Sequence, residues 1–320
     1  MKAAPTVAIP TCRNDFHALV VQRGYRELTG ADCVIVETDS FAGSDGLTWR
    51  SHRDGRSTVS ASGLHHDVDD FDLVWYRRAS MPQHDVPVGD ADHRQFVNSS
   101  IGAALRGTLE TSFRGVWLSH PEATQRAENK LIQLDAAVAA GLAVPRTVVT
   151  QNPDAVREFY DAMGGAVVMK ALRFSRRQPL LTLSADREML ADDDAIRLCP
   201  TLFQELVSGE RHLRVLAIDK IHAIAVDTPH LDWRPHLDAD ASPFVLDDST
   251  CEAIQRLLAI LGLRMGVLDF KMRGGTPVFL EINPQGQFLF MEGLAGIGLV
   301  EPFARFLLDT ACSSPSWRRN

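Results

Sequence analysis

The sequence predicts an α/β domain built on a parallel sheet, followed by a region of α+β character. Three observations lead there. Over the first third of the chain, short apolar runs alternate with stretches of helical spacing, the pattern of parallel strands joined by crossover helices. In the last third, strand-like runs follow one another directly and close on a hairpin signal. The length, 320 residues, suits about two domains of ~150 residues.

The elements follow in order. Thr6 to Pro10 reads as a strand, Phe16 to Leu28 as a helix and Cys33 to Val36 as a second strand. Residues 39–63, rich in Ser, Gly, Asp and Arg, read as a long loop or an exposed hairpin. Leu73 to Tyr76 is a strand, Gly89 to Phe113 is mostly helical, and Gly115 to Leu118 is a strand again. Ser119 and Glu122 have capping-box spacing, with Pro121 in the first turn. Ala123, Ala127, Leu131, Leu134 and Val138 then mark one face of a helix that Gly141 ends. Thr147 to Thr150 and Val167 to Lys170 are strands around a short helix beginning near Pro153. Thr201 to Val207, Leu213 to Ile218 and Ile221 to Val226 are consecutive strands. A second capping box, Ser249 to Glu252, opens a helix that Gly262 ends. Arg264 to Met272 and Pro277 to Ile282 form a hairpin about Gly274-Gly275, and a last amphipathic helix covers Val300 to Leu308. Residues 313–320 read as a disordered tail.

Composition narrows the function. With 45% hydrophobic and 23% charged residues, the chain has the material for an ordinary globular core. A net charge of -8 argues against a general nucleic-acid binder, which needs clustered basic surface. No run approaches the ~20 apolar residues of a membrane span, and Met1 to Cys12 lacks the apolar core of a signal peptide. The five cysteines are scattered, form no C-x-x-C pair, and fit a reducing cytoplasm. No paired-histidine zinc spacing, nucleophile elbow, Walker loop or dinucleotide fingerprint is present.

The chemistry concentrates in the final hairpin. Side chains alternate along a strand, so Glu281 and Asn283 share a face, and antiparallel pairing brings Asp269 beside them. Two carboxylates and an amide carbonyl are hard oxygen donors of the kind Mg²⁺ prefers. The plain alternative is solvent-facing carboxylates, which the core-like neighbours Gly266-Val267-Leu268 and Val278-Phe279-Leu280 disfavour. Lys170 ends an apolar strand and can reach phosphate, whereas Lys130, taken alone, reads as a solvated or snorkelling lysine. Gln204, Glu205, Leu206 and Val207 form a strand end that can read an adenine edge with backbone groups, or is an ordinary edge strand. Arg173, Arg176, Arg177, Arg214 and Arg234 are candidates for carboxylate or phosphate binding against a background of solvated charge.

A helix lysine, a strand lysine, a Q-E-x-V segment and then Asp…Glu-x-Asn, in that order, resemble the ATP-grasp superfamily. The chain is most similar there to the graspetide (microviridin-type) peptide maturases, which resemble ribosomal-protein glutamate ligases. The matching pieces are Val74-Trp75-Tyr76-Arg77-Arg78, Trp117-Leu118-Ser119-His120-Pro121, Ala127-Glu128-Asn129-Lys130 with Gln133-Leu134, and Pro145-Arg146-Thr147. Asp232-Trp233-Arg234 and the run from Phe279 to Gln287 are the more specific pieces. The resemblance implies an ATP-grasp fold with a pre-ATP-grasp α/β domain over residues 1–118, a central lobe over 119–185 and a C-terminal lobe over 186–312. It implies Lys130 and Lys170 on the nucleotide phosphates, adenine on Gln204 to Val207, and Asp269, Glu281 and Asn283 on two Mg²⁺. Arg214 would lie near the transferred phosphoryl group and Arg234 near the peptide. Many relatives carry an acidic residue for the ribose where this sequence has His212; Glu210 or His212 would take that part.

The activity so implied is ATP-dependent activation of Asp or Glu side chains in a ribosomal precursor peptide. Acyl-phosphates form, and ester or amide crosslinks close with release of ADP. The expected cofactors are ATP and Mg²⁺, and the expected partner is a precursor peptide with leader and core. A homodimer is expected only because relatives often form one. Neither nucleic acid nor membrane is expected, and the expected location is the cytoplasm. Two other readings stay open: a ligase joining amino acids or small metabolites, and a catalytically silent peptide binder.

Overall fold

The computed structural model describes residues 4–51, 55–79, 90–172, 182–231, 233, 240–315 and 317. It divides into two compact units, Met1–Pro121 with Gly298–Asn320, and Glu122–Ile297.

The first unit carries β1 (Val7–Thr11), α1 (Phe16–Thr29), β2 (Val34–Glu37), β3 (Leu47–Thr48), β4 (Thr58–Ala61), β5 (Leu64–Asp67), β6 (Leu73–Val74), α2 (Ala91–Ser112) and β7 (Val116–Trp117). As the alternation predicts, β2-β1-β6-β7 form a sheet that is parallel throughout. β1 is buried along its whole length, which is why it reads as a continuous apolar run. The stretch expected as a loop or hairpin instead makes a three-stranded antiparallel sheet, β3-β4-β5. Its strands are too short and polar to show a clear alternation. Asp15 caps α1 by accepting the His17 N–H, and Gly30, at φ 77°, ends the helix in the left-handed conformation.

The second unit holds two sheets. The first is built from β8 (Thr147–Thr150), β9 (Val167–Lys170), β10 (Leu183–Ser184) and β11 (Thr201–Glu205), in the order β10-β9-β11-β8. It crosses the division expected at residues 185 and 186, because β11 pairs with both β8 and β9. The second sheet contains β12 (Arg211–Ala217), β13 (Ile221–Asp227), β14 (Asp240–Phe244), β15 (Gly266–Arg273) and β16 (Thr276–Asn283), in the order β14-β13-β12-β15-β16. Its core face, with Leu213, Val215, Leu268, Phe270, Phe279 and Ile282, packs on helices. Those helices are α4 (Lys130–Ala140) and α7 (Asp248–Leu261). The unit also contains α3 (Pro121–Ala127), α5 (Pro153–Ala162), α6 (Asp193–Leu198) and α8 (Phe290–Ala295). α9 (Val300–Cys312) belongs to the first unit, where it packs along α1. Gly24 permits that approach, since a Cβ there would lie 2.5 Å from Val300 Cγ1.

Two local expectations are corrected. The helix expected through residues 121–138 is two helices, because Asn129 leaves the helical conformation (φ -82°, ψ 116°) and caps α4 through the N–H groups of Leu131 and Ile132. The break rotates the buried face: Lys130, Gln133, Ala136, Ala137 and Ala140 are buried, while Leu131 and Val138 are exposed. The second capping box is also displaced. Asp247, not Ser249, accepts the Thr250 N–H, and α7 begins at Asp248. Within the stretch after Cys312, Ser314 is buried and donates its N–H to the Ala311 carbonyl. Among the described residues no helix is long and apolar enough to cross a membrane.

Candidate active site

A cleft opens within the second unit, lined by both of its sheets. Strand alternation places the polar groups there. On β11, Phe203 enters the core under the first sheet, so Gln204 faces the other way, beside Val168 of β9. Gln204 is buried, donates to Thr147 Oγ1 at 3.0 Å and accepts from Lys170 Nζ at 2.9 Å. An uncharged side chain thus aims the Lys170 ammonium without neutralising it.

The opposite wall is the face of β12 and β15 that points away from the core. His212 stands in register with Lys271, and Arg214 with Asp269. The Arg214 side chain is 8% exposed and that of Asp269 13%. Arg214 Nη1 donates to both Asp269 carboxylate oxygens, at 2.8 and 2.7 Å. Nη2 donates to the Gln287 carbonyl at 3.1 Å, and the guanidinium lies 5.5 Å from the centre of the Phe290 ring. On β16, Glu281 stands opposite Asp269, and a bulge there makes Phe279 the partner of Phe270. The extra residue turns both Leu280 and Glu281 into the cleft lining. Lys130, at the start of α4 and 9% exposed, donates to Glu281 at 2.5 Å. Gln133 ties α4 to the same strand, exchanging hydrogen bonds with the Ile282 carbonyl at 2.8 Å and N–H at 3.1 Å.

Lys130, Lys170, Gln204, Glu205, Leu206, Val207, His212, Asp269 and Glu281 therefore meet at one cleft. Arg214 joins them through Asp269. Asn283 is exposed, is not part of the lining, and accepts the Gln285 N–H through Oδ1 at 3.0 Å. Glu210 is exposed and outside the lining, whereas His212 is buried within it. The Glu205 and Leu206 N–H groups are used by the Arg146 and Ala166 carbonyls. Val207 lines the cleft, and its N–H meets no carbonyl among the described residues. Arg173, Arg176, Arg177, Asp232 and Arg234 lie outside the described residues.

Sequence reasoning passed over Lys271, which is 8% exposed and lines the cleft. Burial pushes its pKa down, partly offset by the Glu210 carboxylate. The signal that finds it is the strand period: it lies two residues beyond Asp269 on β15 and therefore on the same face. Leu231 and Trp233, also in the lining, follow no such pattern.

Among the described residues no cluster of three His, Cys, Asp or Glu side chains is preformed for a metal. Asp269 and Glu281 nonetheless fit a hard divalent cation. They are carboxylates in register on adjacent strands, and each already attracts a cationic side chain.

No family profile and no curated protein matches this sequence. Solved structures do, and they show the fold of the ATP-grasp ligases. The macrocyclase MdnC of Microcystis aeruginosa MRC, bound with precursor peptide MdnA, is 24% identical over 94% of this chain and 99% of its own, with a TM-score of 0.85. A Chryseobacterium gregarium RiPP-associated ATP-grasp ligase, in complex with ADP and a leader and core peptide, is 22% identical over 96% of each chain, TM-score 0.84. The ATP-grasp ligase PsnB, complexed with minimal precursor, Mg and ADP, is 21% identical over 97% of this chain and 99% of its own, TM-score 0.76.

Proposed function

We propose that this protein is an ATP-dependent, ADP-forming ligase that closes crosslinks within a ribosomally made precursor peptide. The observation that carries the reading is the cleft wall on which Lys130–Glu281 and Arg214–Asp269 stand together, facing Lys170, in a chain with the ATP-grasp ligase fold. Similar solved structures that hold precursor peptides, ADP and Mg support it.

Lys130 and Lys170 bind the nucleotide phosphates, and Gln204 keeps Lys170 directed at them. Val207 offers its N–H, and Glu205 and Leu206 their carbonyls, to the adenine edge. His212, in place of Glu210, stands by the ribose. Asp269, Glu281 and Asn283 would hold Mg²⁺, two ions in this reading, whose charge offsets that of the phosphate oxygens. Arg214, fixed by Asp269 and the Gln287 carbonyl, bonds the phosphoryl group as it transfers. Arg234 takes the peptide carboxylate.

An oxygen of that carboxylate attacks the γ-phosphorus. The bond to the bridging oxygen breaks, and ADP leaves with the electron pair. A Ser or Thr hydroxyl, or a Lys amine, of the same peptide then attacks the acyl carbon. It gives up its proton, and inorganic phosphate departs. No side chain of the protein becomes covalently attached, so no nucleophile is required of it.

The test is incubation with Mg²⁺-ATP and the short peptide encoded beside the gene, following ADP and peptide mass together. The expected result is ADP release with loss of one water per ring. ADP without that loss would move the assignment to a small-molecule ligase, and no ADP under any condition would overturn it.

A further inference from the structure

Among the described residues lining the cleft, Lys271 differs from the other lysines. Lys130 is held by Glu281 and Lys170 by Gln204, whereas Lys271 has neither an ion pair nor a hydrogen bond. The residue is 8% exposed, with its stem packed into the cleft wall. The Glu210 carboxylate acts on it from beyond ion-pair distance, which leaves the ammonium able to meet a polar group of a ligand in the cleft.

Its position says what that is. Along β15, Asp269 marks the end where phosphate charge is handled, and Lys271 lies about 6.8 Å further on. One pair beyond, Met272 and Arg273 flank the segment proposed for adenine. Arg273 pairs with Glu205 at 2.9 Å, and a Cβ on Gly209 would lie 2.6 Å from the Met272 carbonyl. Lys271 therefore stands between the phosphate end and the base end. Directly across from it, in register on β12, is His212. Residues so paired have Cα atoms about 5 Å apart, so the two side chains rise from neighbouring points on the cleft wall. A vicinal diol presents two neighbouring oxygens.

Resting on the ATP-ligase reading, we propose that Lys271 is a nucleotide-specificity residue. Its ammonium donates to the ribose hydroxyls beside His212, and this contact selects ribonucleotide over deoxyribonucleotide. The site thereby recognises the sugar with cationic and imidazole donors, where a carboxylate would otherwise accept from it.

The experiment is calorimetric titration of the full chain with ADP, 2′-deoxy-ADP and 3′-deoxy-ADP, for wild type, Lys271→Met and Lys271→Gln. Met keeps the aliphatic stem and volume of the lysine, and Gln restores a donor. Wild type is expected to prefer ADP over at least one deoxy analogue by about tenfold or more, the size of a lost hydrogen bond to a charged donor. In Lys271→Met that preference collapses, with ADP falling to the affinity of the analogue, and Lys271→Gln recovers part of it. An unchanged preference in a folded Lys271→Met overturns the proposal. So does an equal loss for all three nucleotides, which would place the lysine on a phosphate instead. Wild type that binds none of them would instead overturn the ATP-ligase reading on which the proposal stands.

Discussion

Two ion pairs set the character of the cleft, and each has a structural as well as a chemical consequence. The Arg214 guanidinium is withdrawn from water and committed to Asp269. Replacing Asp269 with Asn removes the countercharge but leaves the arginine in place. Breaking a buried pair on one side costs about 3 kcal/mol or more, so Asp269→Asn should lower the denaturation midpoint clearly. It should also abolish ADP release under conditions where the variant is still folded. Retention of full ADP release would remove Asp269 from the metal-binding set. The carboxylates were legible in the sequence, because Asp269, Glu281 and Asn283 sit at fixed offsets about a Gly-Gly turn. Their partners were not. Lys130 and Glu281 are 151 residues apart, and no local pattern pairs them. Lys130 taken alone reads as a surface lysine, yet it is 9% exposed.

Lys130 owes that burial to the break between α3 and α4. Asn129 accepts from Leu131 N–H at 3.0 Å and Ile132 N–H at 3.5 Å, so the first turn of α4 begins at Lys130. Asn129→Ala should destabilise the second unit by about 1 kcal/mol, the usual worth of such a cap. It should also weaken ADP binding, because the lysine's helix is no longer fixed at its first turn. Chemical denaturation and calorimetry on the same preparation check both. Unchanged ADP affinity would mean that Gln133, through its bonds to Ile282, positions the helix on its own. The apolar spacing of residues 123–138 hid this break, since an evenly spaced set of Ala, Leu and Val outweighs one Asn in a periodicity argument. The hairpin β15–β16 showed the opposite balance, because alternation, the turn and the carboxylates agreed. Its bulge at Leu280–Glu281 left no trace in the sequence, although it turns two successive residues into the cleft. Register and bulges depend on the partner strand, and the partner is chosen by tertiary packing.

The chain as a whole is two units, each with its own core. The alternation of strand and helix revealed the parallel sheet of the first, but not that α9 returns to it from the far end of the sequence. The first unit also holds an acid-sensitive cluster. Burial pushes the His17 pKa down from 6.5 to about 4, with the Arg77 charge adding to it. The folded state therefore disfavours the proton that the unfolded chain accepts. Stability from this group is complete above pH 6.5 and is lost as pH falls toward 4. Asp15 acts in the same direction at lower pH. Burial raises its pKa, but the Arg77 charge and the bonds from Thr11 and Arg77 outweigh that, so its contribution fades below its unfolded value of 3.8. The melting temperature should fall between pH 6.5 and 4, and His17→Gln should flatten that fall. A variant with the wild-type pH profile would assign the acid sensitivity to other groups.

The central claim is that a substrate carboxylate is phosphorylated by ATP in this cleft and then displaced. It is tested most directly by labelling the Asp and Glu carboxylates of the precursor peptide with heavy oxygen and analysing the released phosphate by mass spectrometry. The account predicts one labelled oxygen in inorganic phosphate for every ring closed, because the oxygen that attacks the γ-phosphorus leaves with it. Phosphate free of label, alongside ADP and a crosslinked peptide, would contradict it.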